Sequence, residues 1–115
     1  MTEYIQVLTT VEQKDDAEKI AKTLVEKRIA ACVQIIGPMT SYFHWQENLD
    51  SAQEFLCLIK SRKDLFAAVE RAIKSLHPYE IPEILALPVI NGNKEYLDWL
   101  REELESEYPE WGKDI

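Results

Sequence analysis

A chain of 115 residues with 46% apolar side chains can build one cored domain, residues 1–115, and is too small for two. Its formal net charge of −8 argues against a nucleic-acid partner, because neutralising phosphates takes clustered Lys and Arg, and leaves cations as the natural counterpart. No run approaches the roughly 18 unbroken apolar residues of a membrane span, and Met1-Thr2-Glu3 lacks the basic-then-apolar pattern of a leader, so the expectation is a cytoplasmic protein with no membrane partner.

Tyr4 to Thr10 is β-branched and aromatic and reads as a strand. Asp15, with Glu18 three positions on, resembles a capping box, and Ala17, Ile20, Ala21, Leu24 and Val25 recur at helical spacing, which predicts a helix over 16–27. Ala31 to Ile36 is a second strand that Gly37-Pro38 bends or breaks. Extended structure resumes at Ser41 to Trp45 with Tyr42, Phe43 and Trp45, and 46–51 is polar and turn-like. Gln53 to Lys60 is the third strand. Ser61 and Asp64 read as the cap of a second helix, whose apolar stripe is Leu65, Phe66, Val69, Ala72, Ile73 and Leu76. Pro82 to Ile90 is the fourth strand, and Asn93 is placed to cap a third helix carrying Tyr96, Leu97, Leu100 and Leu104. The tail through Pro109 and Trp111 is too short and mixed to assign.

The order β-α-β-β-α-β with an added terminal helix predicts an α+β, ferredoxin-like fold: a four-stranded antiparallel sheet with both long helices on one face. The opposite face should be wet and polar. It is not, since Phe55-Leu56-Cys57-Leu58-Ile59 and Ile84-Leu85-Ala86-Leu87 are apolar at both alternating sets. One short helix cannot cover that surface, and a partner subunit is the economical source of the rest.

The segment 76–84, Leu-His-Pro-Tyr-Glu-Ile-Pro-Glu-Ile, carries most of the functional signal. Pro78 forces His77 out of the α region and ends the second helix there, and Pro82 opens the apolar run that follows. One imidazole and the carboxylates Glu80 and Glu83 share a stiff connector. Neutral imidazole beside carboxylate suits Cu(II) or Zn(II). The competing reading of His77 is a cap on the carbonyls at the helix end. Three ligands at best are present in one copy, which rules out a closed structural zinc site there.

Two motifs, placed in this order of elements, resemble the CutA family of divalent-cation tolerance proteins. The first is Ala30-Ala31-Cys32-Val33-Gln34 followed by Ser41-Tyr42-Phe43-His44-Trp45. The second is His77 to Ile84, with Tyr96-Leu97-Asp98-Trp99-Leu100 downstream. The resemblance runs from Tyr4 to Leu104 and implies a ferredoxin-like homotrimer that binds divalent metal ions, copper first, in tolerance or homeostasis, with no organic cofactor and no catalysis. His77 and Glu83 match positions proposed as metal ligands in such members. Glu47 stands where the family's turn usually has glycine, which shifts the special backbone conformation to Asn48. Thr9 stands where some members have a cysteine implicated in copper binding, and that weakens a thiolate site.

The alternative function is a PII-like signalling trimer with a small anionic ligand in its intersubunit clefts, and a third is a structural scaffold. For the anion, Tyr42, Trp45 and Tyr79 would line the cleft and Lys60 would anchor the charge. Packing at an oligomer interface is the competing role of those aromatics. Lys60 discriminates between the two functions, since an anion site needs it and a cation site is harmed by it. His44 belongs to an exposed or interface edge. Cys32 and Cys57 lie in apolar strands, fit neither a CxxC nor a zinc ligand set, and are expected to be buried thiols. Glu102, Glu103, Glu105 and Glu107 form an acidic run that reads as a solvated helix face.

Overall fold

In the computed structural model, which describes residues 3–105, the chain alternates strands and helices as β1 (Tyr4–Val11), α1 (Lys14–Glu26), β2 (Cys32–Trp45), β3 (Asn48–Arg62), a 3-10 turn (Lys63–Leu65), α2 (Phe66–Leu76), β4 (Leu85–Pro88) and α3 (Lys94–Glu103). The strands form one antiparallel sheet in the order β2-β3-β1-β4, the split arrangement predicted from the element order. The tail around Pro109 and Trp111, with Glu107, lies outside the described residues.

Strand alternation sorts the side chains of the sheet onto two faces. Val7, Thr9 and Val11 pair with Ile59, Cys57 and Phe55, and this face is covered by α1 and α2: the Cys57 thiol lies 4.0 Å from the Ala17 carbonyl of α1. Ala17, Ile20 and Leu24 of α1 and Ala68, Val69, Ala72 and Ile73 of α2 supply the other half of the core. On the opposite face Gln6, Leu8 and Thr10 pair with Lys60, Leu58 and Leu56, which in turn meet Cys32, Gln34 and Ile36 of β2. Among the described residues, α3 covers this face at the Gln6–Lys60 end, and the segment around Tyr79 reaches it at the Glu54 end. Ile36, Leu85 and Leu87 stay about half exposed, at 52%, 54% and 46%.

Several local expectations need correction. Neither helix begins with the predicted side-chain cap. The N-cap of α1 is Gln13, with Asp15 and Asp16 in the first turn, where carboxylates still favour the positive dipole end. Ser61 is fully buried and recruited by a tertiary contact, donating to the Ile29 carbonyl at 2.6 Å, while Asp64 accepts from Arg62 two residues before it. Asn93 is the N-cap of α3 by position, without a side-chain bond.

The stretch 46–51 is not a loop. β2 and β3 run together until Trp45 faces Asn48, and the reversal takes two residues, Gln46 (φ 50°) and Glu47 (φ 68°). Two successive left-handed residues are the turn that matches strand twist in a two-residue hairpin. Asn48 is therefore ordinary strand, and Glu47 itself takes the special conformation. β2 is also continuous through Gly37-Pro38, with a register shift between Ile36 and Met39. Glycine is required there, because a Cβ at position 37 would sit 2.6 Å from the Phe55 ring and 2.9 Å from the Glu54 carbonyl.

β4 is only four residues long, against the nine expected. Pro82 brings no N–H to a ladder, and the Thr10 carbonyl at the end of β1 is taken by the His77 ring rather than by a strand partner.

Candidate functional site

His77 ends α2 as predicted: it is the C-cap, with ψ 134° in the extended region that the following proline demands. Its backbone N–H still donates to the Ile73 carbonyl at 2.8 Å. Both ring nitrogens are engaged. The Tyr79 backbone N–H, which can only donate, lies 3.1 Å from Nδ1, so Nδ1 is the accepting nitrogen. The proton then sits on Nε2 and is donated to the Thr10 carbonyl at 2.8 Å. This leaves Nδ1 as the one imidazole atom with a lone pair, held by a longer and weaker contact.

The corner continues into a buried carboxylate. The Tyr79 ring packs against His77 with centroids 4.7 Å apart, and its hydroxyl donates to Glu54 Oε2 at 2.8 Å. Ser41 donates to the other oxygen, Oε1, at 2.6 Å. Glu54 is 8% exposed, and no cationic side chain pairs with it among the described residues. Burial, the bond to Glu54 and the charges of Glu54 and Glu12 together push the Tyr79 phenol well above the usual tyrosine range. It is a donor kept protonated, so its role is to hold Glu54.

Sequence reasoning had Tyr79 but missed Glu54, Ser41 and Thr10. Glu54 did leave a signal, as an isolated carboxylate at the head of the doubly apolar run Phe55 to Ile59. Thr10 left none, since it acts through its carbonyl.

Glu80 and Glu83 lie on the connector after His77, and both are exposed. Among the described residues, no three His, Cys, Asp or Glu side chains gather into a metal-binding set within one subunit. Within one subunit, the four residues expected to line an intersubunit ligand cleft do not meet. Tyr42 and Trp45, 74% and 62% exposed, stand on the β2-β3 hairpin. Tyr79 belongs to the Glu54 corner, and Lys60 lines a separate pocket beneath α3 that includes none of the other three. His44 is exposed on the β2 edge, as expected.

The thiols divide. Cys57 is fully buried and burial pushes its pKa up to about 11, whereas Cys32 is half-buried on the incompletely covered face, against the expectation of burial. Thr9 is also fully buried, opposite Cys57 on the helix-covered face, and its Oγ1 has no hydrogen-bond partner among the described residues. Glu103 of the acidic run pairs with Arg28 at 3.3 Å, so that run is partly a tether for the end of α1. Among the described residues no helix is long and apolar enough to cross a membrane.

Fold and corner together define a class: a small α+β protein with a split antiparallel sheet, one finished apolar face, and a histidine-carboxylate corner beside an unfinished one. The profile described as "CutA1 divalent ion tolerance protein" matches residues 5–103, and the chain belongs to that family. A divalent-cation tolerance protein CutA from Thermus thermophilus is 50% identical over 96 residues, covering 84% of this chain and 93% of the relative. Its namesake from Archaeoglobus fulgidus is 41% identical over 99 residues, covering 86% and 96%. The solved structure of the Thermus thermophilus divalent cation tolerance protein superposes with a TM-score of 0.86 at 47% identity, over 89% of this chain and 99% of that one. CutA1 from the psychrotrophic Shewanella sp. SIB1 gives 0.88 at 36% identity, over 91% and 98%.

Proposed function

We propose that the protein acts as a homotrimer that binds divalent cations, Cu(II) first, in the seams between its subunits. Glu83 and Glu80 supply carboxylates and His77 supplies Nδ1. The observation that carries this reading is the unfinished face of the sheet. Leu85 and Leu87 of the edge strand β4 are about half exposed, and Glu83 stands two residues before that strand. A neighbour that covers these leucines closes over the Glu83 connector as well, and brings the further donors that one subunit lacks.

The His77 geometry supports a ligand role despite its two hydrogen bonds. In metal-bound histidines the nitrogen away from the metal commonly donates to a backbone carbonyl, which fixes the tautomer and aims the ring. Nε2–H on the Thr10 carbonyl is such a brace, and a cation has only to displace the Tyr79 N–H from Nδ1. Imidazole with carboxylate oxygens is a donor set suited to Cu(II). The Tyr79–Glu54–Ser41 network holds the connector in place behind it.

Titration calorimetry with Cu(II) and Zn(II) tests this on the wild type, Glu83→Gln and His77→Ala, with molar mass followed by light scattering. Both variants should keep their mass and bind Cu(II) at least tenfold more weakly. Wild-type affinity in both removes the metal assignment and returns His77 to a purely structural helix-end role.

A further inference from the structure

Lys60 stands at the opposite end of the sheet from His77. Its ammonium is half-buried and donates to Gln6 Oε1 at 2.8 Å, which leaves two of its three N–H donors over. No carboxylate pairs with it among the described residues. The register explains why: its cross-strand neighbours are Gln6 and Cys32, both neutral, and the next residues of β3 on the same face are Leu58 and Arg62. The Arg62 guanidinium is already paired with Asp64 at 2.7 Å, so the neighbourhood adds positive rather than negative charge. In a chain with a net charge of −8, a half-buried lysine left without a carboxylate is a specific arrangement.

That lysine lines a cavity of about 240 Å³ between the sheet and α3, whose other walls include Val89, Tyr96, Leu97 and Leu100. This is smaller than the roughly 300–1,000 Å³ of drug-sized sites, and larger than the roughly 150 Å³ that takes one benzene. An apolar chamber with a single cation on its wall selects a matching ligand, apolar in body with one negative group.

We propose that this pocket binds a small organic carboxylate with a ring-sized or branched apolar tail, its carboxylate on Lys60 and its tail against Leu97 and Leu100. The site lies within one subunit. Its lining includes none of His77, Glu80 and Glu83, so it stands or falls separately from the cation site.

Benzoate is the probe, titrated into the full chain and followed by amide chemical shifts and calorimetry. Benzoate should bind saturably and shift the amides of residues 92–100, while benzamide, acetate and inorganic phosphate bind at least tenfold more weakly. Lys60→Met, which keeps the stem and removes the charge, should lose tenfold or more. Leu97→Trp, which fills the chamber and leaves Lys60 in place, should lose as much, and both variants should keep the wild-type mass and Cu(II) affinity. Undiminished benzoate binding in either variant overturns the proposal. So does an absence of saturable binding to the wild type, the result expected if a neighbouring copy fills the chamber.

Discussion

Leu58 and Ile59 are adjacent in β3, and they meet different fates. Ile59 faces α1 and α2 and is fully buried, together with Val7 and Cys57 on the same side. Leu58 faces the other way, between Leu8 and Gln34, on a surface where Ile36, Leu85 and Leu87 are about half exposed. The open face carries Leu8, Leu56, Leu58 and Ile36 among Gln6, Gln34 and Lys60, too apolar for a wetted surface, yet the chain's own helices finish only the other face. A sheet that carries core-like side chains on its open face holds in reserve the free energy of covering them, on the order of 25 cal/mol per Å². In the trimer proposed above, that reserve becomes the assembly energy.

The comparison breaks most visibly at Leu58. In an assembled protein, Leu58→Asp puts a carboxylate into a dry interface at a cost of several kcal/mol, and light scattering should show monomers that retain the wild-type circular dichroism. An unchanged mass and melting temperature would mean that the face stays wet. Ile59→Ala probes the finished face. It should lower the free energy of unfolding by about 2–5 kcal/mol through lost burial and a cavity that α1 and α2 cannot close, with no change in subunit number. Dissociation caused by Ile59→Ala, or a full core penalty from Leu58→Ala in an isolated monomer, would contradict the assignment of the faces.

A smaller effect is expected at the corner that borders the open face. Tyr79→Phe removes one of the two side-chain donors to buried Glu54 and should cost about 1–3 kcal/mol in denaturant unfolding. The pH dependence carries the same signature. The folded protein raises the pKa of this phenol, so the folded state holds the proton more tightly than the unfolded state does. The associated stability is complete below the ordinary tyrosine pKa of about 10 and is lost as pH climbs above it. Cys57, raised to about 11 from 9.0, contributes a parallel decline from pH 9 upward. Because Cys57 is present in both proteins, the difference between wild type and Tyr79→Phe isolates the phenol. Parallel alkaline curves would mean that Tyr79 titrates as an ordinary tyrosine.

The covered face was legible in the sequence because periodicity reports burial, and Ala17, Ile20, Leu24, Val69, Ala72 and Ile73 all stand where their spacing puts them. The open face was legible as a conflict between an apolar pattern and a shortage of helices. The corner was only partly so. His77 and Tyr79 belong to a proline-bounded motif, but their partners Thr10 and Glu54 are 67 and 25 residues away, and Thr10 takes part through its backbone. The Ser61 cap failed for a related reason: the residue fits a local rule, but the Ile29 carbonyl, 32 residues away, took its hydroxyl, while Asp64 was taken locally by Arg62. The Lys60 pocket needed the third dimension, since it is made by β1, β3, the segment after β4, and α3 together.

The smallest effect is predicted at the tip of the hairpin, where the sequence pointed to Asn48 and the backbone points to Glu47. Gln46 at φ 50° and Glu47 at φ 68° hold a two-residue reversal whose second position favours glycine. A left-handed conformation costs an ordinary residue roughly 1–2 kcal/mol, and glycine relieves that while losing about 0.5–1 kcal/mol more backbone entropy on folding. The difference predicts that Glu47→Gly stabilises the protein by about 0.5 kcal/mol, or roughly 2–4 °C for a domain of this size. The paired control is Asn48→Gly, which places a flexible residue in the strand opposite Trp45 and should lower the melting temperature instead. Opposite signs from two adjacent substitutions place the end of the turn between Glu47 and Asn48. A gain from Asn48→Gly with none from Glu47→Gly would return the left-handed position to Asn48 and lengthen the loop at the expense of the strands.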